Sequence, residues 1–200
     1  MSLRCRRCLI GAALTIELTL GRPVAASDGR PSVVLYLANV AGISPDIVSD
    51  ARQEVARIYA HIGVRVIWAE HPTGSPKDPI IILPSTTGRE AGPRALGFAV
   101  RGANTSGGRL AYVFYDRVEP LARKHQMSDA SLLGVAIAHE IGHLLLPYGS
   151  HSPSGLMQAD WDDRQFVLAR ARLLRFTAQQ AKQIRAHLMD TQDESSQESR

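Results

Sequence analysis

Five residues in the second half of the chain are of types, and at spacings, that could do chemistry together: His139, Glu140, His143, His151 and Met157. His139 and His143 are four apart in the apolar run VAIAHEIGHLLL, whose pattern is helical. On a helix that spacing projects both imidazoles from one face. Two neutral ring nitrogens placed in this way can share one tetrahedral ion at the zinc–nitrogen distance of about 2.0–2.1 Å. Glu140 sits one position round from the first His, close enough to reach water at the ion without being a ligand. Zinc acidifies water, and the carboxylate would take the proton as that water attacks a polarised carbonyl.

Such an ion needs a third protein ligand if one position is to stay open for chemistry. Pro147 has no N–H and pushes Leu146 out of the α region, so the helix should end there. Gly149 offers a cheap positive φ for a reversal that can bring His151 back to the ion. Asp160 and Asp162 are the alternative third ligands. Reach and ligand softness favour His151 over either carboxylate.

With a third His and a later Met in place, the pattern resembles that of the metzincin metallopeptidases, H-E-x-x-H-x-x-G-x-x-H followed by a Met-containing turn. The resemblance implies zinc ligands at His139, His143 and His151, a general base at Glu140, and a Met-turn residue at Met157. The spacing differs: Leu146 stands where the family has Gly, and Gly149 where it has the third His, so the reversal is two residues longer. The Leu-Gly-Phe-Ala, Gly-Gly and aromatic-Asp sequence ahead of the helix resembles the matrixin branch. By that resemblance the architecture is α/β (α+β). It has a twisted mixed sheet of four to five strands with an antiparallel edge strand, an active-site helix below it and a small helical C-terminal subdomain. The activity implied is that of a zinc metalloendopeptidase with one catalytic ion and a protein or peptide substrate. Residues 96–100 (Leu96, Gly97, Phe98, Ala99, Val100) would then be an edge strand above the cleft, able to bind extended peptide by strand addition.

The elements that must position these groups can be read in order. VVLYL at 33–37 is β-branched and aromatic, a buried strand. Ser44 and Pro45 open a helix that Gly63 closes. Strands follow at 64–68, at 80–83 (IIIL, an all-apolar run that reads as buried on both faces), at 95–100, and at 109–116 (RLAYVFYD). The active-site helix is bounded by Ser128 and Pro147, and helices are expected at 166–176 and 177–189, the second capped by Thr177. Tyr148, in the reversal, could donate to a substrate carbonyl or oxyanion, or simply pack. His61, at the end of the first helix, reads as structural or exposed; His71, His125 and His187 have no companion ligands at useful spacing and read as solvent-exposed.

Composition bounds the rest. A chain of 200 residues with 44% hydrophobic content can build one globular domain with a proper core. Arg4, Arg6 and Arg7 precede an apolar run from Cys8 to Leu20, and small residues at 24–26 suit a signal peptidase. The expected organisation is a signal peptide at 1–26, a metallopeptidase domain at 27–190 (subdomains 27–146 and 147–190), and a disordered tail at 191–200. The mature protein would be exported, extracellular or periplasmic, with no stable membrane anchor once the leader is removed. The apolar run, about 13 residues with Glu17 inside it, falls short of the ~20 needed to span. Both cysteines, Cys5 and Cys8, lie in that leader, so a thiol nucleophile or redox pair is excluded from the mature domain. Removing the leader's four Arg and one Glu takes 23 basic and 19 acidic residues to 19 and 18, which gives no basis for a nucleic-acid partner. A non-catalytic metal-binding or partner-binding domain is the rival reading, and the presence of a base at Glu140 weighs against it.

Overall fold

The computed structural model describes residues 29–75, 78–86, 92, 94–101, 109–147 and 150–198. Among these, β1 (Ser32–Asn39) leads through α1 (Pro45–His61) to β2 (Arg65–Ala69), and then to β3 (Ile80–Leu83), β4 (Gly97–Arg101) and β5 (Arg109–Val113). Four further helices follow: α2 (Tyr115–Lys124), α3 (Asp129–Leu145), α4 (Asp163–Arg170) and α5 (Ala178–Glu198). The strands form one mixed sheet in the order β2-β1-β3-β5-β4. β1 pairs in parallel with β2 and β3, and β3 with β5. β4 runs antiparallel to β5, with Gly97 opposite Val113 and Ala99 opposite Ala111. The mixed sheet with one antiparallel edge strand is the architecture the family resemblance implied.

Burial alternates along the strands because the helices cover one face. Val33, Leu35 and Leu37 of β1, Ile81 and Leu83 of β3, and Ala111 and Val113 of β5 are buried against α1 and α3. The opposite face is more lightly covered. Ile80 and Ile82 are therefore only half-buried, and β3 is not enclosed on both faces as its apolar run suggested. β-Branched residues suit any pleated, half-buried surface, so composition alone did not reveal which face is covered.

Local signals account for most boundaries. Pro45 occupies the first turn of α1, although the Ser44 side chain makes no cap bond. Gly63, at φ 74°, closes α1 in a Schellman turn: Val64 N–H donates to Tyr59 O at 3.0 Å and Gly63 N–H to Ala60 O at 3.0 Å. Three expectations need correction. The strand expected at 109–116 stops at Val113, and Tyr115 and Asp116 open α2, whose Val118 and Ala122 face the core. The helix expected at 166–176 is α4, which ends at Arg170; Arg172 then adopts φ 59° and the chain reaches α5 without regular secondary structure. Finally, α5 continues to Glu198 rather than ending near Met189, and Gln192 donates to the Ser32 carbonyl at 3.2 Å. No helix among the described residues is long and apolar enough to cross a membrane.

Candidate metal centre

α3 is buried along nearly its whole length, which is why its sequence is apolar on every side. Ser128 caps its start by accepting from Ser131 N–H, and Leu146 leaves helical geometry (ψ 159°) immediately before Pro147. The helix thus presents His139 and His143 from one face, with their Nε2 atoms 3.1 Å apart. His151 is brought back beside them: its ring centroid lies 4.6 Å from that of His143 and 5.6 Å from that of His139. One nitrogen from each of the three rings falls within 4.8 Å of the others. Neither Asp160 nor Asp162 joins this group. Asp162 instead forms a capping box at the start of α4, accepting from Arg164 N–H at 2.8 Å while Gln165 reaches back to its own N–H.

The residues present fit a metal ion on two observations. His139 donates its Nδ1–H to the Leu156 carbonyl at 2.8 Å, which leaves the Nε2 lone pair facing inward. His143 Nδ1 lies 2.9 Å from Ser150 Oγ, which can accept in the same way. Two lone pairs would then converge at 3.1 Å, close to the roughly 3.3 Å edge of a tetrahedron with about 2.0–2.1 Å metal–nitrogen bonds. Burial lowers the His139 pKa to about 4, against the smaller raising effect of its bond to Leu156. The ring is therefore neutral at ordinary pH, as metal ligation requires.

Glu140 lies next to this cluster, buried, with Oε2 unpartnered. Its burial raises the carboxyl pKa to about 8. Edge strand β4 passes directly over it: a Cβ on Gly97 would meet Glu140 Oε1 at 2.9 Å and would clash with the Tyr112 carbonyl. Only glycine permits that approach. A second close approach lies on the other side of α3. Met157 is fully buried with its sulfur where a Cβ on Gly142 would come to 2.5 Å. The turn holding Met157 is tied by Ser152 N–H to Met157 O at 2.9 Å and Leu156 N–H to Arg175 O at 2.7 Å.

A cleft of about 1230 Å³ runs past these groups, lined on one side by Leu96, Gly97, Phe98 and Ala99 and on the other by His151, Asp160 and Trp161. Val100 is exposed and does not line it. Tyr148 lies outside the described residues. His125, expected from the sequence to be solvent-exposed, is instead only 13% exposed and lines the cleft, stacked on Phe166 at 3.8 Å. Its partner comes from α4, 41 residues on, so no local pattern marked it. Sequence reasoning also missed the supports of the reversal. Buried Gln180 donates to Ser152 Oγ at 3.0 Å and to Ser150 O at 3.3 Å. The Thr177-x-x-Gln180 capping box was the visible signal, because the same Gln180 accepts from Thr177 N–H.

No family model matches the chain, and no curated protein is significantly similar to it. Among solved structures it is similar to metalloproteinase-II from Bacteroides fragilis, at 14% identity and a TM-score of 0.47. The alignment covers 80% of this chain and 54% of that one, so this chain spans about half the length of its structural neighbour. A likeness at that level leaves the function to be argued from the residues.

Proposed function

We propose that this chain is a zinc-dependent endopeptidase of metzincin-like, matrixin-like organisation. His139, His143 and His151 are the ligands of a single catalytic ion, Glu140 is the general base and Met157 is the Met-turn residue. The observation that carries the reading is the convergence of three imidazole nitrogens beside a buried carboxyl group with one oxygen unpaired. A purely structural ion has no use for that carboxyl group. Its burial disfavours the charge a base must carry, and no group among the described residues offsets the cost.

When bound, zinc would supply Lewis-acid polarisation of a peptide carbonyl and acidify water at neutral pH. The chain's own residues do the rest. The Glu140 carboxylate accepts the proton of the attacking water and passes it to the leaving amine. β4 closes the sheet on this side, so its outer N–H and C=O groups are placed to pair with an extended substrate strand. Such pairing would lay the scissile bond along Leu96–Ala99, over Glu140. The leader-like segment at 1–26 supports export of a mature domain comprising subdomains 27–146 and 147–190, acting on protein or peptide rather than nucleic acid.

The test combines metal analysis with a diverse peptide library. The wild type is expected to bind one zinc and to cleave within peptides, while Glu140→Gln keeps the zinc and loses cleavage by about 10²–10⁴-fold. Zinc-loaded wild type that cleaves nothing in the library would establish the non-catalytic metal-binding reading instead.

A further inference from the structure

Arg117, in the first turn of α2, is far from the three imidazoles in sequence and is not one of the groups assigned a chemical role above. One of its terminal nitrogens, Nη1, donates to two carbonyls of the segment leading into β4: Gly92 O at 2.6 Å and Ala95 O at 2.6 Å. Its guanidinium carbon stands 5.1 Å from the centre of the Phe114 ring, in cation–π range. Phe114 in turn donates its N–H to Leu96 O at 2.8 Å, extending the β4–β5 ladder by one bond. Gly92 O also accepts from Ala95 N–H at 3.1 Å, so the carbonyl that Arg117 holds is the one that closes the turn. The next residue in line is Gly97, whose backbone rests on Glu140.

From this chain of contacts we infer that Arg117 is a positioning residue. It fixes the entry to the edge strand and so sets the height of β4 above Glu140, and with it the fit of an extended peptide in the cleft. The inference rests on the peptidase reading for its consequence but not for its structural part. A cation donating to two carbonyls is the stronger class of hydrogen bond. Nothing else among the described residues is seen to hold both Gly92 O and Ala95 O from across the fold.

The experiment uses the full chain with Arg117→Met, which keeps the aliphatic stem and removes the donors, and Arg117→Lys, which keeps a cation. Hydrogen exchange of the 94–101 segment is read first, together with zinc content. Arg117→Met is expected to speed exchange in that segment by about tenfold or more, the scale of a lost charged hydrogen bond. Exchange in α3 and zinc stoichiometry should not change. Arg117→Lys should fall between the two, and it alone decides the point if Arg117→Met does not fold. KM and kcat are then measured on long and short peptides. The expected result is a raised KM for long peptides that reach along β4, with little change in kcat and little effect on the shortest substrates. Unchanged exchange at 94–101 overturns the positioning role. Faster exchange with an equal effect on long and short peptides overturns the link to substrate fit. A protein that cleaves nothing overturns the peptidase reading, while exchange still decides whether Arg117 holds the strand.

Discussion

The chemistry of the site turns on which side chains are neutral and which lone pairs are left over. His151 is exposed, yet it is the residue that completes the nitrogen cluster. Asp162, of the right type to ligate, is committed to the start of α4. The two substitutions should therefore separate cleanly. His151→Ala is expected to weaken zinc binding by at least about 10–100-fold, since even outer-shell partners of metal ligands are worth that much. Asp162→Ala should leave zinc affinity intact and lower stability by about 1 kcal/mol, the usual worth of an N-cap. Competition with a chromophoric chelator and thermal unfolding read the two effects, and loss of zinc from Asp162→Ala would return the third-ligand role to a carboxylate. Glu140 allows a second test in the metal-free protein. Its folded pKa, about 8, lies above the ordinary value of 4.5, so the fold favours the protonated form. That contribution to stability is complete below about pH 4.5 and is lost as pH rises through about 8. Glu140→Gln should accordingly melt above wild type at pH 8 and level with it at pH 4, both measured after chelation.

At the scale of elements, much of what positions the site was legible because local chemistry and tertiary need agree there. Ser128 and Pro147 bound α3 as read, Gly63 closes α1, and Thr177 caps α5. The antiparallel edge strand was also anticipated, through the Leu96–Val100 pattern. Elsewhere long-range packing overrode the local signal. Tyr115 and Asp116 look like the end of a strand, but they belong to α2, and Tyr115 donates its hydroxyl to Asp129 at 2.6 Å. Likewise the 166–176 run breaks at Arg172, whose carbonyl accepts from Arg57 of α1 at 3.1 Å. The role of Gly97 was beyond the sequence because it depends on a carboxyl group 43 positions away meeting a strand backbone. That meeting predicts the effect of Gly97→Ala. A methyl group there meets the Tyr112 carbonyl and Glu140 at once, so the strand backbone and the carboxyl group must both shift. Zinc content should stay at wild-type level while kcat falls by about 100-fold, since misplacing a catalytic group by about 1 Å carries that cost. Unchanged kcat would mean that Glu140 does not act from the position it holds here.

For the whole molecule, the proposed ion is a staple between two parts built differently. The sheet with α1 and α3 carries a continuous apolar core, including Leu35, Ile58, Ile81 and Ile137. The reversal at 150–155 is exposed or half-buried and held by polar ties, Ser152 N–H to Met157 O and Gln180 to Ser150 and Ser152, while Leu156 and Met157 after it join that core. Local opening follows the distribution of buried apolar contact, so that segment should open at lower free energy than the sheet. Chelation should act there first. Removing an ion held at about 100 times its dissociation constant costs about 2.7 kcal/mol, or roughly 5–10 °C in melting temperature for a chain of this size. Hydrogen exchange on the chelated protein should rise across 150–155 and remain at the zinc-loaded level in β1 and α1, with zinc restoring both signals. A uniform rise over the sheet as well would show that the ion supports the fold as a whole. An unchanged 150–155 segment would show that His151 is held in place without it.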